Sequence, residues 1–255
     1  MTEPLLQATQ VEFRRGYQFC LRLSRLEAHR GEMIAVLGRN GSGKSTLVNL
    51  LAGLLAPSVG EIRVAGQRLA TLPARQRPRW ICHLPQLQRT ELGFTVEQIV
   101  LMGRYASAEH WFESERDEHA CLRALERLAL TEFRNRRIST LSGGERQRVF
   151  LAACLAQEAQ IWLLDEPVTF LDVEHQLAVM ELLRQECEQG RLIVTVLHDV
   201  NLALRYGTRL ILLEDGNLAA DLSREEAVSS RSWLARLSPR LRLELWDQGQ
   251  AWVRY

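Results

Sequence analysis

Residues Gly38-Arg39-Asn40-Gly41-Ser42-Gly43-Lys44-Ser45 follow the spacing G-x-x-x-x-G-K-[ST]. The chemistry of that pattern is phosphate binding. Glycines let successive backbone N–H groups turn inward around an anion, and a helix starting at the end of the loop adds free donors and a positive dipole end. Lys44 can reach β- and γ-phosphates, and the Ser45 hydroxyl can ligand Mg²⁺. A second group lies at Ile161-Trp162-Leu163-Leu164-Asp165-Glu166, an apolar run ending in two acids. A strand delivers its last residues to one edge of a sheet, so Asp165 can hold Mg²⁺ through water. Glu166 can then polarise the water that attacks a γ-phosphate. The phosphate loop alone fits kinases, GTPases and many ATPases.

These groups need particular elements to position them. Met33–Leu37 is a short apolar run that predicts a buried strand before the loop, and a helical pattern follows from Ser45 to Leu55, closed by Pro57 and Gly60. Partial alternation over residues 11–29 and over Glu61–Ala65 predicts half-buried strands. Ile161–Leu164 and Leu192–Leu197 are expected as central parallel strands, joined by a crossover helix at Val173–Gln189. Thr95–Met102 and Glu118–Leu130 read as amphipathic helices, which suggests a helical lobe inserted at about residues 94–140. The tail from Ser223 begins helical, and the Trp-containing piece Leu243–Tyr255 has no clear period.

With 32 Lys+Arg against 31 Asp+Glu, the 255-residue chain carries a formal charge of +1, which gives no electrostatic case for nucleic-acid binding. Its longest apolar stretch, Leu47–Ala56, is interrupted by Asn49 and too short to span a bilayer. Residues Met1–Gln10 lack the basic and apolar regions of a signal peptide, so a cytosolic chain is expected. Five scattered cysteines without a CxxC pair are expected as core or surface thiols.

Leu141-Ser142-Gly143-Gly144-Glu145-Arg146-Gln147 resembles the signature of ABC ATPases. Physically it is a Ser cap and two glycines at a helix start, an anion site with no ligand of its own. The resemblance covers roughly residues 10–222. It implies an α/β fold: a P-loop NTPase (RecA-like) core, an N-terminal antiparallel β-subdomain and the inserted helical lobe. Residues 1–222 would form the ATPase domain and 223–255 a C-terminal segment. It further implies a head-to-tail homodimer that sandwiches two ATP molecules. Each ATP would lie between Gly38 to Ser45, with Thr46, of one copy and Ser142, Gly143, Gly144 and Asp172 of the other. Gln86, in Leu84-Pro85-Gln86, resembles the glutamine that senses Mg²⁺ and the attacking water. His198 resembles the switch histidine that contacts the γ-phosphate. Catalytic roles thus fall to Glu166, His198 and Gln86, and Mg²⁺ to Ser45, Gln86 and Asp165.

The sequence departs from the family pattern at two positions above all. Phe170 stands before Leu171-Asp172 where a small residue is usual, and Arg39 stands where Pro is common. The adenine-stacking position offers Arg15, with Phe13 and Tyr17 beside it, and the sequence does not choose among them.

A single cassette, without a fused membrane domain and with room only for a compact lobe, resembles an importer ATPase. His198-Asp199-Val200-Asn201-Leu202-Ala203 and Val100-Leu101-Met102-Gly103-Arg104-Tyr105 are similar to ATPases importing ferric siderophores, haem and vitamin B12, with the siderophore members favoured. Membrane permease subunits at the cytoplasmic face of the cell membrane, and indirectly a substrate-binding protein outside it, are the implied partners. Haem or B12 import, export, and a non-transport role are the alternatives.

Overall fold

The structure is a computed structural model that describes residues 3–16, 19–86, 93–105, 115–230, 232–246 and 250–254. β1 (Leu6–Arg15) and β2 (Phe19–Ala28) pair antiparallel from Leu6↔Ala28 to Arg15↔Phe19. β3 (Met33–Gly38) leads through the phosphate loop into α1 (Lys44–Leu51). β4 (Val59–Val64) and β5 (Gln67–Arg68) extend the antiparallel wing. The short α2 (Arg77–Trp80) enters β6 (Ile81–Leu84).

The lobe follows, with α3 (Val96–Tyr105), α4 (Glu115–Arg127) and α5 (Gly143–Gln157). The chain then returns to the core as β7 (Ile161–Asp165), α6 (Val173–Glu188), β8 (Leu192–Val196) and α7 (Val200–Tyr206). The remaining elements are β9 (Arg209–Glu214), β10 (Asn217–Ser223), α8 (Arg224–Ser229), α9 (Ser232–Leu237), β11 (Arg242–Trp246) and β12 (Gln250–Arg254).

The described residues form a ten-stranded sheet in the order β5-β4-β1-β2-β10-β9-β3-β8-β7-β6, plus the separate β11–β12 hairpin. β9, β3, β8, β7 and β6 run parallel. Alternation along each inner strand feeds two cores. On β3, Met33, Ala35 and Leu37 face one side and Ile34 and Val36 the other. On β7, Trp162 and Leu164 oppose Ile161 and Leu163. Strands covered on both faces read as continuous apolar runs, which is why β3, β7 and β8 were visible in the sequence. All five cysteines are free thiols, four of them buried.

Several boundaries differ from the sequence expectation. α1 stops at Leu51 rather than Leu55, because Gly53 turns left-handed (φ 70°) and the Leu54 and Leu55 amides fold back onto Asn49 O. α4 runs Glu115–Arg127, its C-terminal side closed by Ala129 at φ 52°. The unassigned tail is the β11–β12 hairpin. Leu243 and Val253 bury it in the main core, and Asn201 of α7 bonds Val253 both ways (Nδ2 to O 3.1 Å, N to Oδ1 2.7 Å).

The lobe is tied to the core by charge as well as packing. Arg127 of α4 and Arg191 both bond the fully buried Glu186 of α6. Arg104 of α3 donates to Asp117 of α4 at 2.8 Å and to Ala156 O of α5 at 2.9 Å. No helix among the described residues is long and apolar enough to cross a membrane.

Candidate functional site

The parallel register brings four strand ends to one edge. Val36 pairs with Val196, Asp165 with Val196, and Leu84 with Leu164. The loop after β3, Gln86 just past β6, Asp165-Glu166 at the end of β7 and His198 just past β8 therefore converge. They surround a cavity of about 560 Å³ lined by Arg15, Phe19, Asn40, Gly41, Gly43, Lys44, Ser45, Thr46, Gln86, Glu166 and His198.

The loop is held in a shape that its glycines make possible. Gly38 has φ 152°, and a Cβ there would lie 2.4 Å from Leu213 O and 2.5 Å from Ser42 Oγ. The Ser42 amide closes the turn on Arg39 O at 3.1 Å. Lys44 Nζ donates to Gly38 O (2.8 Å) and Arg39 O (3.0 Å), which aims the ammonium along the loop. Burial pushes the Lys44 pKa down from its ordinary value, opposed by the charges of Glu166 and Asp165.

Asp165 is 4% exposed, and burial pushes its pKa up, against a hydrogen bond from Ser45. Its Oδ1 is buried without a partner among the described residues. An orphaned carboxylate oxygen beside a serine hydroxyl is a hard, oxygen-only donor pair. Mg²⁺ takes one or two such protein groups and completes its shell with phosphate and water. The residues present therefore fit that ion.

Glu166 sits in the left-handed region at φ 55°. Its Oε1 accepts from Gln86 Nε2 at 3.0 Å and contacts His198 Nε2 at 2.6 Å, and its Oε2 accepts from Thr169 Oγ1 at 3.1 Å. Gln147 of α5 donates to Glu166 O (3.4 Å) and Pro167 O (3.1 Å), linking the signature helix to the backbone beneath the carboxylate.

Ser142, Gly143, Gly144 and Asp172 do not line this cavity. Ser142 and Glu145 form a reciprocal capping box, with the Glu145 amide donating to Ser142 Oγ (3.2 Å) and the Ser142 amide to Glu145 Oε2 (2.6 Å). Those bonds hold the Glu145 pKa below its ordinary value. Asp172 caps α6, accepting from the His175 amide at 2.9 Å. Phe170 packs on the signature glycines and is 70% exposed.

Sequence reasoning missed Phe19, Thr169 and Gln147. Arg15 does line the cavity, while Phe13 packs against the core and Tyr17 lies outside the described residues. The aromatic side chain at the cavity is Phe19, whose ring comes within 3.0 Å of where a Cβ on Gly43 would sit. The Arg15↔Phe19 pairing puts the two side by side, a register that sequence alternation does not reveal.

A family profile described as ABC transporter matches residues 21–169, which hold the phosphate loop, the signature and the β7 carboxylates. The chain belongs to the ABC transporter family. As an ABC ATPase it is an ATP-hydrolysing cassette. It is 42% identical over 210 residues to the petrobactin import ATP-binding protein FpuD of Bacillus anthracis, covering 81% of this chain and 76% of that one. It is 41% identical over 224 residues to the hemin import ATP-binding protein HmuV of Gloeobacter violaceus, covering 84% and 80%. Among solved structures, one assigned to an inward-facing ABC transporter of metal-chelate type has a TM-score of 0.82 at 26% identity, covering 99% of this cassette and 98% of that chain. A dimeric ATP-binding cassette in a post-hydrolysis state, bound to ADP and phosphate, has a TM-score of 0.77 at 28% identity, covering 86% and 98%.

Proposed function

We propose that this cassette energises import of a metal chelate, a ferric siderophore in the first instance, as a homodimer docked on membrane permease subunits at the cytoplasmic face of the cell membrane. The observation that carries the ATPase mechanism is Glu166, poised by Gln86, His198 and Thr169 across one cavity from Lys44.

In the proposed mechanism, the triphosphate takes the N–H groups of residues 38–46, and Lys44 exchanges its two carbonyl partners for phosphate oxygens. Adenine packs against Phe19 and Arg15. Mg²⁺, held by Ser45, Gln86 and, through water, Asp165, would neutralise phosphate charge. Glu166 accepts the proton of the attacking water, and Gln86 and His198 hold that carboxylate and the water in line. The capped helix start at Ser142, with Gly143 and Gly144, meets the γ-phosphate held by the second copy. Closure of the dimer moves the lobe, and the lobe moves the permease. ATP drives this only through its higher affinity for the closed state. A substrate-binding protein outside the membrane completes the system, so the cargo is selected by the partners.

The siderophore reading is supported by the petrobactin importer subunit and the metal-chelate structure, and the haem reading by the hemin importer subunit. Glu166→Gln should keep ATP binding and accumulate an ATP-bound dimer that requires Ser142. Hydrolysis should slow by about 10²–10⁴-fold, the usual worth of a general base. An ATP-bound monomer with hydrolysis unchanged would refute the mechanism. Deleting the chain should abolish uptake of ferric siderophore and spare that of haem. The reverse pattern would select haem.

A further inference from the structure

We infer that Asn201 is a positioning residue for hydrolysis: by fastening α7 to the β11–β12 hairpin, it holds the backbone that aims His198 at Glu166. The inference rests on the catalytic role proposed above for His198, and it gives the C-terminal segment a part in the reaction.

His198 is not held by its surroundings. Its side chain is 50% exposed. It borders a cavity of about 440 Å³ that Leu197, Val200, Leu237 and Leu241 also line. A ring with open space beside it has other rotamers within reach. Its aim is set instead by the 2.6 Å contact with Glu166 and by the backbone on its two flanks. On the β8 flank, the Leu197 amide donates to Val36 O at 3.2 Å, which ties the chain to β3. The other flank is the start of α7, and its anchor comes from the far end of the chain.

α7 has seven residues, too few to be stable alone. Asp199 caps it, with Oδ1 accepting from the amides of Asn201 (2.7 Å) and Leu202 (3.3 Å). The Asn201 side chain then bonds Val253 of β12 both ways, Nδ2 to O at 3.1 Å and N to Oδ1 at 2.7 Å. The N–H and C=O of one strand residue point to the same side, so Asn201 fills the edge that β12 turns away from β11. Leu243 and Val253 root the hairpin in the main core. Bonds thus run from Val253 through Asn201 to Asp199, which is both the cap of α7 and the chain neighbour of His198. A shift in the first turn of α7 becomes a shift of His198.

The test is a double-mutant cycle in the full chain. Asn201→Ala should lower kcat about tenfold, short of the roughly hundredfold that misplacing a catalytic group by about 1 Å can cost. The KM for ATP should hold, because the phosphate loop is untouched. In a His198→Ala background, itself slower and read by single-turnover hydrolysis, the same change should cost less than about twofold, since the residue it acts through is gone. The imidazole nitrogen resonances of His198 should move in Asn201→Ala while those of His29 and His83 stay. An unchanged kcat, an unmoved His198 resonance, or an equal loss with and without His198 overturns the positioning role and leaves His198 catalytic. Hydrolysis at the full rate in His198→Ala overturns both.

Discussion

Gly103 sits where α3 crosses α5, and replacing it with alanine should loosen the lobe and misplace the signature. A Cβ on Gly103 would lie 2.2 Å from Ala153 O, 3.0 Å from Ala153 C and 3.3 Å from Ala153 Cα. All three atoms are backbone, so no rotamer change relieves the contact, and the helices must part by roughly 1 Å to restore the packing distances of a protein interior. Overpacking of this kind costs about 1–3 kcal/mol, and a clash of backbone with backbone belongs at the upper end. Alanine returns about 1 kcal/mol of helix propensity. The steric effect wins, by roughly 1–2 kcal/mol, which for a chain of this size lowers Tm by about 3–6 °C.

There is a functional consequence, because Ala153 lies on the helix whose first residues are Gly143 and Gly144. Moving it shifts those N–H groups and, through Gln147, the backbone of Glu166. ATP-dependent dimerisation and hydrolysis should both fall while ATP binding to the phosphate loop persists. The assay is a thermal melt with a steady-state ATPase measurement, using Gly93→Ala as control because nothing lies within 4 Å of a Cβ there. If Gly103→Ala melts and hydrolyses like Gly93→Ala, the close crossing is not what positions the signature.

Two other outcomes follow from the geometry. Burial lowers the Lys44 pKa below its ordinary 10.5. A basic group depressed in the fold binds its proton less tightly there than in the unfolded chain. The free protein therefore gains stability as pH climbs from the lowered value to the ordinary one, while ATP affinity falls over the same window as the ammonium is lost. Measured in the Glu166→Gln protein, an affinity that stays flat up to pH 10.5 would contradict this. Asn201→Ala removes both bonds to Val253, about 2 kcal/mol at the usual worth of a hydrogen bond. Opening of the hairpin should then speed trypsin cleavage at Arg240 or Arg242 by about thirtyfold, and an unchanged digestion rate would show that the latch is dispensable.

Legibility in the sequence followed burial. β3, β7 and β8 are apolar throughout because the sheet is covered on both faces, and the switch to a helical period after the loop marked α1. β6 has only four residues, and β10 and β11–β12 carry no distinctive period, whereas the run Leu210–Leu213 of β9 feeds both cores as β3 does and carries a signal the sequence reading left unused. The ends of α1 and α4 moved because a left-handed Gly53 and Ala129, rather than the next proline or glycine, stop those helices.

What the sequence by itself determined is local: a loop whose glycines, lysine and serine make a phosphate cradle, an acid pair closing an apolar strand, and a capped helix start. Those properties need only near neighbours and the backbone's own donors. The tertiary structure decided which distant groups meet. Gln86 and His198 stand 80 and 32 residues from Glu166, and they bond it only because parallel pairing aligns the ends of β6, β7 and β8. Hairpin register put Phe19 rather than Phe13 at the cavity. The exposure of Phe170 beside a glycine pair was likewise invisible until the chain between β7 and α6 was folded against α5. Strand register and helix crossing are long-range choices made by the whole core, and no short window of sequence contains them.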